Sequence, residues 1–148
     1  MGSSPYWYYI PYETDLNLAL SKLHEREFSL GRYNPAVTFP EFPITEDTPS
    51  PGKKHRNIKS AFKAAMEDGT RSILDLQAVS TKDEFCVARI LSETELLKYF
   101  NTIKPTHAEI ENNFTLLLAD LERGKGLCIT VYRANEPDEL FFVGYSFD

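Results

Sequence analysis

The feature that most constrains the fold is a short aromatic segment near the N-terminus, Tyr6 to Pro11. It is rich in strand-forming residues, is closed by a proline and is too short for a helix. Because successive side chains of a strand point to opposite faces, Trp7 and Tyr9 face one side of a sheet and Tyr8 faces the other. Large rings on both sides predict a sheet that needs cover on both faces.

The C-terminal segment from Glu139 to Phe147 shows the same alternation, with Phe141 and Val143 on one face and Phe142 on the other. The rest of the sequence predicts helices of modest length, which we expect to cover one face of the sheet and to leave the other short of cover. We therefore expect the second face to be closed by a proline-rich loop, a ligand or a partner.

Helical periodicity appears in four places. The first helix begins at Thr14 or Asp15 and ends at Gly31, and the second runs from Ile58 until it stops at Gly69. The third and fourth begin at capping boxes, in which a hydroxyl and a carboxylate three residues apart satisfy each other's backbone donors. These boxes are Ser92 with Glu95 and Thr106 with Glu109.

The remaining segments predict strands and one long loop. Ser72 to Val79 and Phe85 to Leu91 are short apolar segments with a polar linker between them, which predicts an antiparallel pair. The fourth helix should end near Gly124 or Gly126, and the strand Leu127 to Arg133 follows it. Residues 33–57 carry five prolines and no periodicity, which predicts a proline-rich loop or flap.

The predicted fold is a single α+β domain over residues 1–148. A chain of 148 residues, with 42% hydrophobic and 26% charged residues, has the size and composition of one globular domain. The predicted order is β-α-α-β-β-α-α-β-β, which gives a mostly antiparallel sheet of about five strands with about four helices.

Charge and hydropathy bear on the partners. A net charge of −6 argues against nucleic acid, since binders of phosphate backbones need a positive field. No segment is long and apolar enough to cross a bilayer, so no membrane partner is expected. Cys86 and Cys128 lie in apolar segments, which predicts buried thiols in a reducing cytoplasm.

Aromatic residues are the first candidates for a ligand or partner surface. If one sheet face is open, Trp7, Tyr9 and Phe142 would form an aromatic groove together with Phe39 and Phe42 of the loop. The alternative is that these rings belong to the core, since aromatic stripes usually serve packing.

Three polar positions are candidates for chemistry. Glu27 falls in the leucine stripe of the first helix, where burial would suit a general acid and an arginine would instead make a structural ion pair. Arg71 and Asp75 lie four residues apart in the predicted second strand and so share a sheet face. Arg71 is then placed to meet Glu27 or an anionic ligand, and the alternative is an exposed polar face.

The sequence offers one weak anion site and no metal site. Lys53, Lys54 and Arg56 precede the second helix, whose free amides attract anions, and a solvated loop is the alternative. His24 opens a metalloprotease-like pattern, but Phe28 stands where a second histidine is required. Phosphate-binding glycine loops, nucleophile elbows and dinucleotide fingerprints are all missing from the sequence, and no cofactor is expected.

Three short motifs resemble small uncharacterised bacterial proteins. They are Trp7-Tyr8-Tyr9 with Pro11-Tyr12, the run from Gly69 to Asp75, and Gly144-Tyr145-Ser146. The resemblance implies a bacterial cytosolic setting, and it transfers no activity and no catalytic residue.

Two hypotheses of function follow from these observations. The first is a binding or interaction module, regulatory or of the toxin-neutralising immunity kind, whose aromatic surface takes a protein partner, a second copy or a small molecule. The alternative is a small enzyme in which Glu27 is the acid or base, Arg71 holds an anionic substrate and the proline-rich loop closes as a lid.

Overall fold

The computed structural model of the protein describes residues 4–33 and 41–146. The strands are β1 (Pro5–Pro11), β2 (Ala78–Ser80), β3 (Val87–Ile90), β4 (Gly126–Arg133) and β5 (Glu136–Tyr145). The helices are α1 (Leu16–Leu30), α2 (Ile58–Asp68), α3 (Glu93–Phe100), α4 (His107–Asn112) and α5 (Phe114–Asp120), with a 3-10 turn at Ile73–Asp75. The predicted α+β class is confirmed. Within the described ranges, no helix has both the length and the apolar character of a bilayer span.

The two halves of the five-stranded sheet, in the order β1-β5-β4-β3-β2, pair differently. The long strand β5 lies antiparallel to both β1 and β4, whereas β2, β3 and β4 are parallel. The predicted antiparallel pairing of Ser72–Val79 with Phe85–Leu91 is therefore wrong. Parallel strands usually need a connection of a dozen residues or more, but residues 81–86 suffice here because β2 is only three residues long.

The local start and stop signals of the helices act as predicted. The side chain of Asp15 caps α1, and Gly31 ends it in the left-handed conformation at φ 76°. Both capping boxes form, at Ser92 before α3 and at Thr106 before α4.

Two local details differ from the sequence pattern. The fourth predicted helix is broken at Asn113, whose side-chain amide donates to the carbonyl of Glu109 at 2.8 Å, so that α4 and α5 replace it. The last hairpin turns at Ala134 and Asn135, both at positive φ, so β5 begins at Glu136 instead of Glu139.

Helices cover both faces of the sheet. The face that carries Tyr6, Tyr8 and Phe142 packs against α1 and the 3-10 turn, and the face that carries Phe141 and Val143 packs against α3, α4 and α5. The expectation that helices would cover only one face is wrong, because α1 with the 3-10 turn covers the first face and the short helices α3, α4 and α5 cover the second. In addition, α2 packs on α1 and on the 3-10 turn as an outer layer.

Candidate functional site

The predicted aromatic surface is divided between the two sheet faces. The register pairs Phe142 with Tyr8, so Phe142 lies on the α1 side, is fully buried and does not share a groove with Trp7. That part of the prediction is corrected by the antiparallel pairing of β1 with β5. Trp7 and Tyr9 are half-buried on the opposite face, and Phe39 lies outside the described residues.

Phe42 lies across the outer edge of β1. Its ring centroid is 5.5 Å from that of Trp7 and 5.3 Å from that of Tyr8, in an edge-on contact with the second. Since Trp7 and Tyr8 project from opposite faces of the strand, a ring that contacts both must span the strand edge. Trp7 is enclosed further by Phe114, at 4.7 Å between centroids.

Tyr9 is held by a polar cluster that the sequence did not reveal. Its ring stacks on His107 at 4.0 Å, and its hydroxyl donates to Glu111 at 2.8 Å. Nδ1 of His107 lies 3.2 Å from Glu139 on β5. Burial, followed by the hydrogen bond to Glu111, raises the pKa of the Tyr9 hydroxyl well above its usual value. These contacts fix Tyr9 against α4.

Glu27 is fully buried in an ion pair with two arginines. Arg32 donates from Nε to Oε1 at 3.0 Å and from Nη2 to Oε2 at 2.6 Å, and Arg26 donates from Nε to Oε2 at 2.9 Å. The arginines that meet Glu27 are these two and not Arg71. The contacts are those of a structural ion pair, because both carboxylate oxygens already accept from guanidinium groups.

Arg71 and Asp75 do not lie on a strand. The side chain of Ser72 caps the 3-10 turn and accepts from the amide of Leu74 at 3.3 Å. Asp75, which is 2% exposed, accepts from the amide of Thr70 at 2.7 Å and from that of Arg71 at 3.0 Å. The predicted shared sheet face is therefore wrong, since Asp75 instead closes the backbone turn that leads into its own helix.

The predicted basic cluster is exposed. Lys53, Lys54 and Arg56 all extend into solvent. The side chain of Asn57 caps α2 by accepting from the amide of Ser60 at 2.9 Å. The helix thus supplies its own acceptor at the position where an anion was expected.

The loop after the cluster of prolines is pinned to the end of α1. The buried hydroxyl of Tyr33 accepts from the amides of Lys54 and His55, each at 3.0 Å. Gly31 approaches the loop so closely that a Cβ there would lie 1.9 Å from the carbonyl oxygen of Gly52. This part of the loop therefore has a defined position beside α1.

His24 and Cys128 have structural surroundings. Nε2 of His24 lies 2.8 Å from the carbonyl of Leu76, and burial lowers the pKa of His24. Burial raises the pKa of the Cys128 thiol to about 12. Among the residues that the structure describes, no group of three or more histidine, cysteine and acidic side chains is arranged to hold a metal ion.

Two cavities lie side by side along β1 and have one lining residue in common. The larger, about 520 Å³, lies between Tyr8 and Tyr9 of β1, the end of α1 and the loop from Pro43 to Glu46. The smaller, about 230 Å³, lies between Ile10 and Pro11 of β1 and the middle of α1. The side chain of Arg26 lines both. We call the two cavities together the β1–α1 groove.

Arg26 is the residue of this groove best placed to bind an anion. Its side chain is 41% exposed, and its Nε is used by Glu27. Its two terminal nitrogens form no hydrogen bond with any described residue. Because Arg26 and Arg32 share the single carboxylate of Glu27, this group of three side chains carries one positive charge in excess. Glu46 stands on the loop side as an exposed carboxylate.

Sequence reasoning singled out Glu27 but missed its partners. A carboxylate within a leucine stripe needs a cation, and Arg26 and Arg32 are the arginines nearest to it in sequence. That proximity was the available signal. Comparisons with protein-family models, with curated proteins and with solved structures give no match.

Proposed function

We propose that this protein is a binding module for an anionic ligand, which it holds against Arg26 in the β1–α1 groove. The observation that carries the proposal is the position of that guanidinium group. It lines both cavities, is anchored through Nε by Glu27, and presents its terminal nitrogens without a described acceptor. A guanidinium fork matches the geometry of carboxylate and phosphate groups.

The ion pair beneath the groove supports this role. Glu27 holds Arg26 in place, so that less side-chain freedom is lost when a ligand binds. With Lys22, Glu13 and Glu46, which also line the groove, its positive and negative side chains balance, whereas the chain as a whole has a net charge of −6. The proposal keeps the hypothesis of a binding module. It assigns the binding surface to the β1–α1 groove and not to the aromatic rings. The regulatory or immunity role stays a prediction.

The enzyme hypothesis receives no support from the geometry. Glu27 is fully buried, and both its oxygens accept from arginines. The carboxylate of Asp75 accepts from the amide of Arg71 within one turn. These contacts give Glu27 and Asp75 structural roles, and we propose no reaction.

The test is thermal unfolding of the wild-type protein with millimolar phosphate, citrate or glutarate, compared with sodium chloride at equal ionic strength. A ligand at ten times its Kd stabilises by about 1.4 kcal/mol, which for a domain of this size raises Tm by about 3–5 °C. We expect at least one anion to do so, and Arg26→Gln to abolish the effect.

The matched control is the variant Arg133→Gln. Arg133 is an exposed arginine at the end of β4, and it lines neither cavity. It should respond to the anions like the wild type. An equal Tm rise in the Arg26 and Arg133 variants, or no rise with any anion, would contradict the proposal.

A further inference from the structure

We infer that the ligand of the β1–α1 groove is an extended peptide that adds as a strand to the outer edge of β1 and places an acidic side chain on Arg26. The inference rests on the proposed function, because it uses the same site. Three observations carry it: backbone groups of β1 that have no partner among the described residues, the position of the two cavities along β1, and the difference between the linings of the cavities.

The backbone of β1 has hydrogen-bonding groups that point away from the sheet. Among the described residues, β1 is an end strand of the sheet and pairs only with β5. The amide of Tyr12 donates to the carbonyl of Asp138 at 3.1 Å, one step beyond Pro11 in the β1–β5 register. Since bonding alternates along an antiparallel strand, the even-numbered residues bond to β5, and Trp7, Tyr9 and Pro11 direct their backbone groups outward.

The open part of this edge is short. Pro5 and Pro11 bound β1 and have no N–H, so the outward amide donors are those of Trp7 and Tyr9. Phe42 packs across the edge of β1 near Trp7, so the part of the edge that a peptide could reach begins at Tyr9. The N–H and C=O of Tyr9 and the C=O of Pro11 form no hydrogen bond with any described residue. Prolines at both ends limit unwanted sheet extension, while this open stretch accepts a short strand.

The two cavities lie one after the other beside this open stretch. The larger is next to Tyr9 and the smaller is next to Pro11, and successive strand residues advance by about 3.3 Å. Two peptide side chains that are two residues apart point to the same face, about 7 Å from each other. In the proposed complex, one such pair places one side chain in each cavity.

The linings of the cavities indicate which side chains they take. The smaller cavity is lined by Glu13 and Lys22, which neutralise each other in an ion pair, and has an apolar wall of Ile10, Ala19 and Leu23 that suits an aliphatic side chain. Arg26 stands at the junction with the larger, more polar cavity and suits a carboxylate. The peptide should therefore carry an aliphatic and an acidic residue two positions apart.

The experiment uses fluorescence polarisation with two fluorescein-labelled peptides, Thr-Val-Thr-Asp-Thr amide and Thr-Asp-Thr-Val-Thr amide, which test both strand directions. We expect one of them to bind wild-type protein and the Arg133→Gln control. Replacement of its aspartate by asparagine, or Arg26→Gln in the protein, should weaken binding at least tenfold.

Backbone methylation distinguishes strand addition from other modes of peptide binding. In an added strand, alternate amides face β1, so N-methylation of one alternate set should abolish binding and methylation of the other set should leave it within about threefold. Equal binding of both methylated peptides and the parent would overturn the inference. So would unchanged affinity in the Arg26→Gln variant.

The outcomes separate the two proposals. If phosphate, citrate or glutarate stabilises the protein through Arg26 and neither peptide binds, the peptide inference is refuted and the proposed function stands. If neither the anions nor the peptides bind, both are refuted.

Discussion

Replacing Glu27 with glutamine is the sharpest test of the ion pair beneath the groove. The substitution keeps the size of the side chain and removes its charge. Glu27 is 0% exposed and its main partner Arg32 is 6% exposed, so the change leaves a buried guanidinium without a counter-charge. It also turns an amide N–H₂ toward a group that can only donate.

The expected loss in the free energy of unfolding is about 3–4 kcal/mol. Removing one partner of a buried ion pair costs about 3–5 kcal/mol, and the amide oxygen that remains in the glutamine side chain keeps the loss toward the lower end. The lost contact between Glu27 and Arg26 adds less than about 1 kcal/mol to this loss, because the side chain of Arg26 is 41% exposed and solvent screens its charge. For a domain of this size the loss corresponds to a fall in Tm of about 6–15 °C.

The assay is urea unfolding followed by the fluorescence of Trp7, the single tryptophan of the chain. Glu25→Gln, an exposed neighbour on α1, is the matched control and should change the free energy by less than about 0.5 kcal/mol. The double variant Glu27→Gln/Arg32→Gln should lose at least about 2 kcal/mol less than the two single variants together. A loss of unfolding free energy below about 1 kcal/mol in Glu27→Gln would refute the reasoning. So would a double variant whose loss equals the sum of the two single-variant losses.

Three further predictions concern stability. Tyr6→Phe should raise the free energy of unfolding by about 1 kcal/mol in urea, because the fully buried Tyr6 hydroxyl has no hydrogen-bond partner among the described residues. The raised pKa of Tyr9 means that the folded form binds this proton more tightly than the unfolded chain, so stability should hold below about pH 9 and fall as pH rises past about 10, less steeply in Tyr9→Phe. Gly31→Ala should cost about 2 kcal/mol or more in urea, since φ is 76° and the new Cβ would meet the carbonyl of Gly52.

Each of these has a contrary outcome. Destabilisation by Tyr6→Phe would mean that the hydroxyl makes a contact that stabilises the fold. An identical alkaline slope in wild type and Tyr9→Phe would remove Tyr9 from the pH dependence. A change below about 0.5 kcal/mol in Gly31→Ala would show that the loop moves away from α1 at little cost.

The local part of the fold could be predicted because its causes are local. Asp15 and Gly31 bound α1 through contacts within a few residues, and the two capping boxes form for the same reason. The break at Asn113 was missed because a strong apolar periodicity runs across it, although Asn is a poor helix former.

The candidate site was predicted only in part. The pattern marked Glu27 as anomalous, and the structure shows why a carboxylate is tolerated there. Arg71 and Asp75 were misplaced because an apolar segment of this length suits either a strand or a buried turn. The groove itself was missed, since the approach of α1 to β1 brings residues together that no periodicity relates.

By itself the sequence determined the class of the fold, the ends of most helices and the alternation of rings along β1, because propensity, capping and side-chain direction act over a few residues. Tertiary structure alone decided the parallel pairing of β2 with β3, the division of helices between both sheet faces and the position of Arg26 between two cavities. The physical reason is that these depend on which distant segments bury one another. That choice is made by the free energy of packing the whole chain and not by any one segment.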